Sequence, residues 1–415
     1  MRVIQRLGLR QLALVVLTLT CWAAVAATPP QVRAVTVFVD LDPVRYEQQI
    51  ADTLARLRQA RALFERGGFR VQTLRMTTQQ ALWQSLRGMS KDQAQALLLR
   101  LDDLAADGDL IVNLGPLALD DRPDPFLLEL LEDVQTRTTR LQANLIVASD
   151  SGVHWNTVHA AARHILRVAQ RSPNSQGTFA FAAVAMPAEG TPYSPGSYHV
   201  NAGGRFSIGL QSANVVAEVF AKAGGDASVA TRELTAALAT HAREVHRIAA
   251  AIEQQTGWKY WGLDPTPVPL KDESIGAAME QFQNTAFGSS GTLTAAYVIT
   301  EALKELPGPR VGYSGLMLPI MEDARLAQRW NEGAIDLDAL LAYSAVCATG
   351  LDTVPLPGDV TEAQLARIIG DVAVLASKWK KPLNARLQPV HGRVAGEMSD
   401  FDSPYLSNVR LQPLK

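Results

Sequence analysis

Acidic side chains between positions 313 and 359 carry the clearest chemical potential in this sequence. The stretch reads YSGLMLPIMEDARLAQRWNEGAIDLDALLAYSAVCATGLDTVPLPGD. Glu322 and Asp323 follow a short apolar run, where a turn into a helix can aim one of them at a pocket as a general base or a hard-metal ligand. The same pair could instead complement the dipole of a following helix. Asp352 stands among apolar residues in a stretch read as a loop, so its charge must be solvated, paired or bound to something. Asp359, behind Pro357-Gly358, either joins that site or helps cap a helix starting near 361.

His199 lies in a Gly/Pro-rich loop spanning 191–204 and is the candidate acid-base group. Arg205, just beyond, could bind an anion or pair with an acid. Ser290 belongs to a Gly288-Ser-Ser-Gly291 turn of the kind that can hold an anion. The predicted pocket thus combines His199, Asp352, Glu322 and Asp323 as catalytic groups with Asp359, Arg205 and Ser290 as substrate contacts. A divalent cation is possible if several carboxylates converge, and no metal ligand set is assigned. His154, His159 and His164, like His241 and His246, recur every five residues and lack the i, i+4 spacing of a zinc pair. No Rossmann or Walker pattern occurs, so no nucleotide is expected.

The elements that must carry these groups alternate. Strands are predicted near 35–39, 69–74, 109–114, 143–148, 178–186, 205–210 and 383–388. Helices are predicted over 44–66, 91–106, 125–139, 151–170, 229–255, 274–284, 292–306, 336–346 and 361–378. Such alternation with short connections argues for an α/β fold, a mostly parallel sheet or barrel surrounded by helices. No linker-like segment divides the 415 residues, so 28–415 reads as a single large domain.

The N-terminus has the form of an export signal. Arg2, Arg6 and Arg10 precede an apolar run over 12–26 ending in Ala24-Val25-Ala26, which predicts a signal peptide over 1–26 and a periplasmic or secreted protein. An uncleaved anchor or a lipoprotein at Cys21 are the rival readings. Removing those residues takes away three arginines and no acid, leaving a chain more acidic than the formal −2 of the full sequence. That balance argues against a nucleic acid or an anionic membrane as partner. Cys347 would be the one remaining cysteine, set between Val346 and Ala348 with no cation beside it to activate its thiol.

Ser314-Gly315, Pro319, Glu322-Asp323-Ala324, Cys347, Gly350-Leu351-Asp352 and Pro357-Gly358-Asp359 form a collinear set, joined by His199 and by weaker stretches at 35–42, 264–267 and 288–292. This set resembles domain-of-unknown-function family number seven hundred and eleven. The resemblance implies a barrel-like α/β fold similar to pyruvate formate-lyase and related glycyl radical enzymes, and attaches no activity. Relatives carry Thr-His where this chain has Ser289-Ser290, and they tend to be cytosolic. Arg393-Val394-Ala395-Gly396 is similar to the start of a glycyl radical motif, with Cys347 as thiyl partner, but Glu397 replaces the expected tyrosine. A plain glycine turn, and no glycyl radical, is therefore expected. The resulting expectation is an enzyme acting on a small polar or anionic metabolite, the alternative being a non-catalytic periplasmic ligand-binding protein.

Overall fold

The computed structural model describes residues 29–200, 203–346 and 349–415. The predicted signal segment and Cys347 lie outside them. The strands, in chain order, are β1 (Gln31–Val39), β2 (Val71–Thr78), β3 (Leu110–Pro116), β4 (Leu141–Ser149), β5 (Gly152–Val153), β6 (Phe181–Ala185), β7 (Arg205–Gln211), β8 (Lys259–Asp264), β9 (Gly350–Pro357) and β10 (Leu383–Val390). They share one sheet in the order β8-β7-β1-β2-β3-β4-β6-β10-β9, with β5 folded back on β4.

Strands β1, β2, β3, β4 and β6 all run one way. β7 is antiparallel to β1 and β10 to β6, while β8 follows β7 and β9 follows β10. Two parallel half-sheets therefore face in opposite directions. Their free edges are joined by the extended segment 309–320. There Leu263 N donates to Pro309 O at 3.0 Å, Val311 N to Leu263 O at 3.1 Å, and Ile320 N to Asp352 O at 3.2 Å. This closes the sheet into a barrel, because the segment bonds both outer edges of the strand order, β8 and β9. The mostly parallel, barrel-like α/β architecture expected from the sequence is the one observed.

The barrel's outer face is apolar. Leu74 and Met76, Val112 and Leu114, Ala143 and Leu145, and Ala385 and Leu387 join the main core beneath the helices. Among these helices Tyr46–Arg66 buries Ile50, Leu54, Leu57 and Phe64. Glu362–Trp379 is opened by a capping box of Thr361 and Gln364. Burial of each such large aliphatic side chain is worth about 1.5–3 kcal/mol, so the helical jacket and the outer strand face supply most of the fold's stabilisation.

The inner face is polar, because it binds a stretch of backbone. Segment 187–200, between β6 and β7, runs through the barrel interior. Pro192 O accepts from Thr36 Oγ1 of β1 at 3.2 Å and from Arg75 of β2 at 3.1 Å. Pro195 O accepts from the Asn144 amide of β4 at 2.7 Å and also from Asn113 of β3. Ser197 and Thr77 hydroxyls meet at 2.8 Å. A buried loop must have its carbonyls satisfied, and the inward strand residues do this.

Several expectations change. The predicted strand over 178–186 begins only at Phe181, since Pro173–Ala180 is a 3₁₀ turn. The helix predicted over 336–346 is only Leu337–Tyr343. β8 and the helices Ala81–Arg87 and Ala213–Ala223 were not anticipated, and the helix expected after Glu322-Asp323 is Ala324–Asn331. Most consequential, the 350–357 stretch read as a loop is β9. Its prolines are tolerated because it stands at the end of the sheet order, with only the bridging segment beyond it. Among the described residues no helix is long and apolar enough to cross a membrane.

Candidate functional site

Inside the barrel, eight ionisable side chains line one cavity. Arg386 comes from β10, whose residues Asn384, Arg386 and Gln388 alternate with Leu383, Ala385 and Leu387; all six are buried. Its Nε lies 2.8 Å from Asp352 Oδ1 of β9, and its terminal nitrogen pairs closely with Glu322 Oε1. Glu322 is held from its other oxygen by Arg33 of β1 at 3.1 Å. Arg33 falls where the β1–β7 register slips between Val32 and Ala34, an irregularity of the kind that re-aims a side chain.

A comparable irregularity presents Asp352. The β9–β10 register shifts between Ala385 and Leu387, and Thr353 has a φ of +45°. A β-branched residue rarely adopts that conformation. It is held here by ring closure: Asp352 O accepts from Ile320 N, and Thr353 Oγ1 accepts from Met321 N at 3.3 Å. The Asp352 carboxylate receives the Tyr193 hydroxyl at 2.9 Å from the interior segment. Tyr193 and Tyr313 pack edge-on with centroids 5.2 Å apart. Burial first, then nearby acids including Asp352, push both phenols well above the usual tyrosine range, so they are neutral donors.

Asp264, at the end of β8, completes the wall but is already satisfied. It accepts from the backbone N–H of Thr266, Tyr313 and Ser314 and from the Thr266 hydroxyl. Gly312 makes this possible: its φ is +71°, and a Cβ there would strike the Asp264 carboxylate.

Arg75 on β2 differs from the other two arginines. It is 7% exposed and donates to Thr73 Oγ1 and Pro192 O. Among the described residues no carboxylate lies within 4 Å of it. Burial, with repulsion from Arg33 and Arg386 outweighing the pull of Glu322, brings its guanidinium down to about 9. Arg386 responds the other way: burial lowers it, but Asp352, Tyr193 and Glu322 more than compensate and hold it above the ordinary arginine value. Asp352 is raised by burial, with Arg386 opposing and Glu322 adding to the rise.

These side chains surround a cavity also lined by Leu210, Val268 and Met317. The volume open to the centre of a water-sized sphere is about 40 Å³. One water needs about 10–15 Å³ on that measure, so the space suits a molecule of roughly three to six heavy atoms. It is far below the ~300 Å³ at which pockets for larger ligands begin. Three polar atoms of the lining residues have no hydrogen-bond partner among the described residues: Asp352 Oδ2, the Tyr313 hydroxyl and Arg386 Nε, the last being within ion-pair distance of Asp352 Oδ1.

Of the seven residues predicted from sequence, only Glu322 and Asp352 reach this cavity. Asp323, next to Glu322, points the other way: its oxygens accept from the backbone of Ile275 and Gly276 and from that of Arg325 and Leu326, capping two helices at once. His199 is fully buried but elsewhere, with Nε2 3.2 Å from Thr77 O and Nδ1 3.7 Å from Asp40. Burial lowers it, with Asp40 opposing. Arg205 is exposed at the start of β7, with its guanidinium 4.8 Å from the Trp261 ring centroid. Asp359 and Ser290 are exposed turn residues. A common pocket of all seven is therefore corrected to a smaller set. Arg33, Arg75, Arg386, Tyr193, Tyr313 and Asp264 were missed. Arginines recurring inside otherwise apolar strand runs were the available signal. Among the described residues no three His, Cys, Asp or Glu side chains are placed to hold one metal ion.

The fold and site define an α/β barrel of two opposed parallel half-sheets around an arginine–carboxylate centre. The chain matches the family described as Uncharacterised ACR (DUF711) over residues 24–403 and belongs to it. It is 32% identical over 303 residues to a UPF0210 protein of Pyrobaculum aerophilum, covering 68% of this chain and 64% of that protein. A UPF0210 protein of Methanocaldococcus jannaschii is 25% identical, with 68% and 63% covered. The chain thus spans a little under two thirds of these relatives. An anaerobic ribonucleotide reductase from Thermotoga maritima overlays with a TM-score of 0.42 at 10% identity, covering 91% of this chain and 79% of that one; no activity is carried across.

Proposed function

We propose that this protein binds a small anionic metabolite at the barrel centre and acts on it. The observation that carries the reading is Arg75, a buried cation facing the cavity without a carboxylate of its own. Burying an unpaired charge is costly, and an anionic ligand would meet it. In the same cavity, Asp352 Oδ2 is an unbonded acceptor able to take a proton from a bound molecule, with Tyr193 and Arg386 holding the carboxylate in place.

Calorimetry and thermal-shift measurements with small carboxylates and phosphate test the binding. Arg75→Met is expected to remove any ligand response while keeping a cooperative melt; an undiminished response in that variant would end the proposal. Catalysis is read separately, by proton NMR of bound ligands in D₂O, where exchange of a carbon-bound proton should depend on Asp352.

The non-catalytic alternative is favoured by two observations: among the described residues no histidine lines the cavity, and Glu322 is held by two arginines. Ligand binding without any Asp352-dependent exchange would select it. We also propose that the protein works after export. N-terminal sequencing of protein from a periplasmic fraction should begin at Ala27, and an intact Met1 would contradict this.

A further inference from the structure

The unmet groups in the cavity specify more than a negative charge. Resting on the small-anion reading above, we propose that the ligand is a two- or three-carbon 2-hydroxy acid, its carboxylate on Arg75 and its hydroxyl donating to Asp352 Oδ2. Among the described residues, the lining groups with unused capacity are the Arg75 charge, the Asp352 Oδ2 lone pairs, the Tyr313 hydroxyl and Arg386 Nε, which is ion-paired to Asp352 Oδ1 without a hydrogen bond. Asp352 is 1% and Tyr313 5% exposed, so bulk water does not satisfy them. One end of the ligand must therefore be anionic and another must donate a hydrogen bond.

Inorganic phosphate as a dianion has one P–OH donor, but its second negative charge would stand against Asp352 and Glu322 in the same cavity. A simple carboxylate such as acetate meets Arg75 but leaves Oδ2 bare. An amino acid has a donor, yet it is neutral overall. Arg33 and Arg386 are ion-paired with Glu322 and Asp352, while Asp264 keeps its charge among backbone amides and the Thr266 hydroxyl, so the lining arginines and carboxylates are equal in number. The unmatched charge is local, at Arg75, and a monoanion with an uncharged donor meets it without adding an ammonium to a cavity that already holds three arginines. Leu210, Val268 and Met317 face the short carbon skeleton, and the space admits about the size of glycolate or lactate.

Matched ligands test this on the full-length protein without any substitution. Glycolate and both lactate enantiomers are titrated against acetate, propionate, glycine and phosphate by calorimetry. The hydroxy acids should bind at least about tenfold more tightly than acids lacking the hydroxyl, since an abandoned buried acceptor is what discriminates. Asp352→Asn and Tyr313→Phe should shrink that ratio toward one. Equal affinity for acetate and glycolate would overturn the hydroxy-acid class while leaving the small-anion reading standing. Tighter binding of glycine or phosphate would likewise overturn it. If no small anion binds at millimolar concentration, the underlying reading falls as well.

Discussion

Arg386 ties together two carboxylates that would otherwise repel each other at the barrel centre. Its replacement by methionine keeps much of the volume but leaves Asp352 and Glu322 buried without their shared cation. Removing one partner of a buried ion pair costs about 3–5 kcal/mol, and urea unfolding of Arg386→Met should show a loss of that order. Adding Asp352→Asn should restore part of it, because Glu322 keeps Arg33 while Asp352 is the carboxylate left without a cation. At this scale the sequence was half legible. Glu322 and Asp352 stood out as acids in apolar surroundings. Arg33, Arg75 and Arg386 did not, because each sits at an alternating position of a strand, where a charged residue ordinarily faces solvent. Here that face is the barrel interior, and alternation reports which side is polar without saying that the polar side is the inside.

Individual elements show why adjacent residues with one chemistry have different work. Glu322 ends the bridging region and enters the cavity, whereas Asp323 begins the helix Ala324–Asn331 and also receives the first amides of Ile275–Gln283. Each lost cap costs about 1 kcal/mol, so Asp323→Ala should lower stability by roughly 2 kcal/mol in urea titration, and Asp323→Asn by less. Ligand affinity should change little in either variant, because Asp323 does not line the cavity. The macrodipole alternative weighed for this pair thus describes Asp323, while Glu322 follows the other. β9 escaped the sequence reading for a physical reason: a glycine, an aspartate and two prolines all signal a loop. Only pairing with β10 and with the bridging segment holds that stretch extended, and such long-range contacts leave no local trace.

For the whole molecule, acid stability should be governed in part by His164. It is fully buried in the helix Trp155–Arg171, 2.7 Å from Gln135 Oε1 and 4.4 Å in centroid distance from Phe181. Burial, with Arg167 adding, pulls it down to about 3 from an ordinary 6.5. A depressed value means the folded state holds the neutral form. Its contribution is present above pH 6.5 and is lost progressively as pH falls toward 3. Asp352, Asp264 and Asp323 are raised above 3.8 by burial, so folding favours their protonated forms and they offset some of that loss at the acid end. Urea midpoints between pH 7 and 5 should fall for the natural protein and fall less steeply for His164→Gln; parallel slopes would remove His164 as the cause.

Ring closure has a further consequence, for the order in which the molecule acquires its chemistry. Arg33 and Glu322 are 289 residues apart and still touch. A nascent chain that has emerged only through β6 carries Arg33 and Arg75 but neither Glu322 nor Asp352. Contacts of such long range form late and slowly. The guanidinium groups of the first half therefore wait for the acids of the second, and mutual attraction between them helps draw the late half into register. A proteolytic nick in 309–320 should leave the helical jacket largely intact and cost the protein its binding centre first.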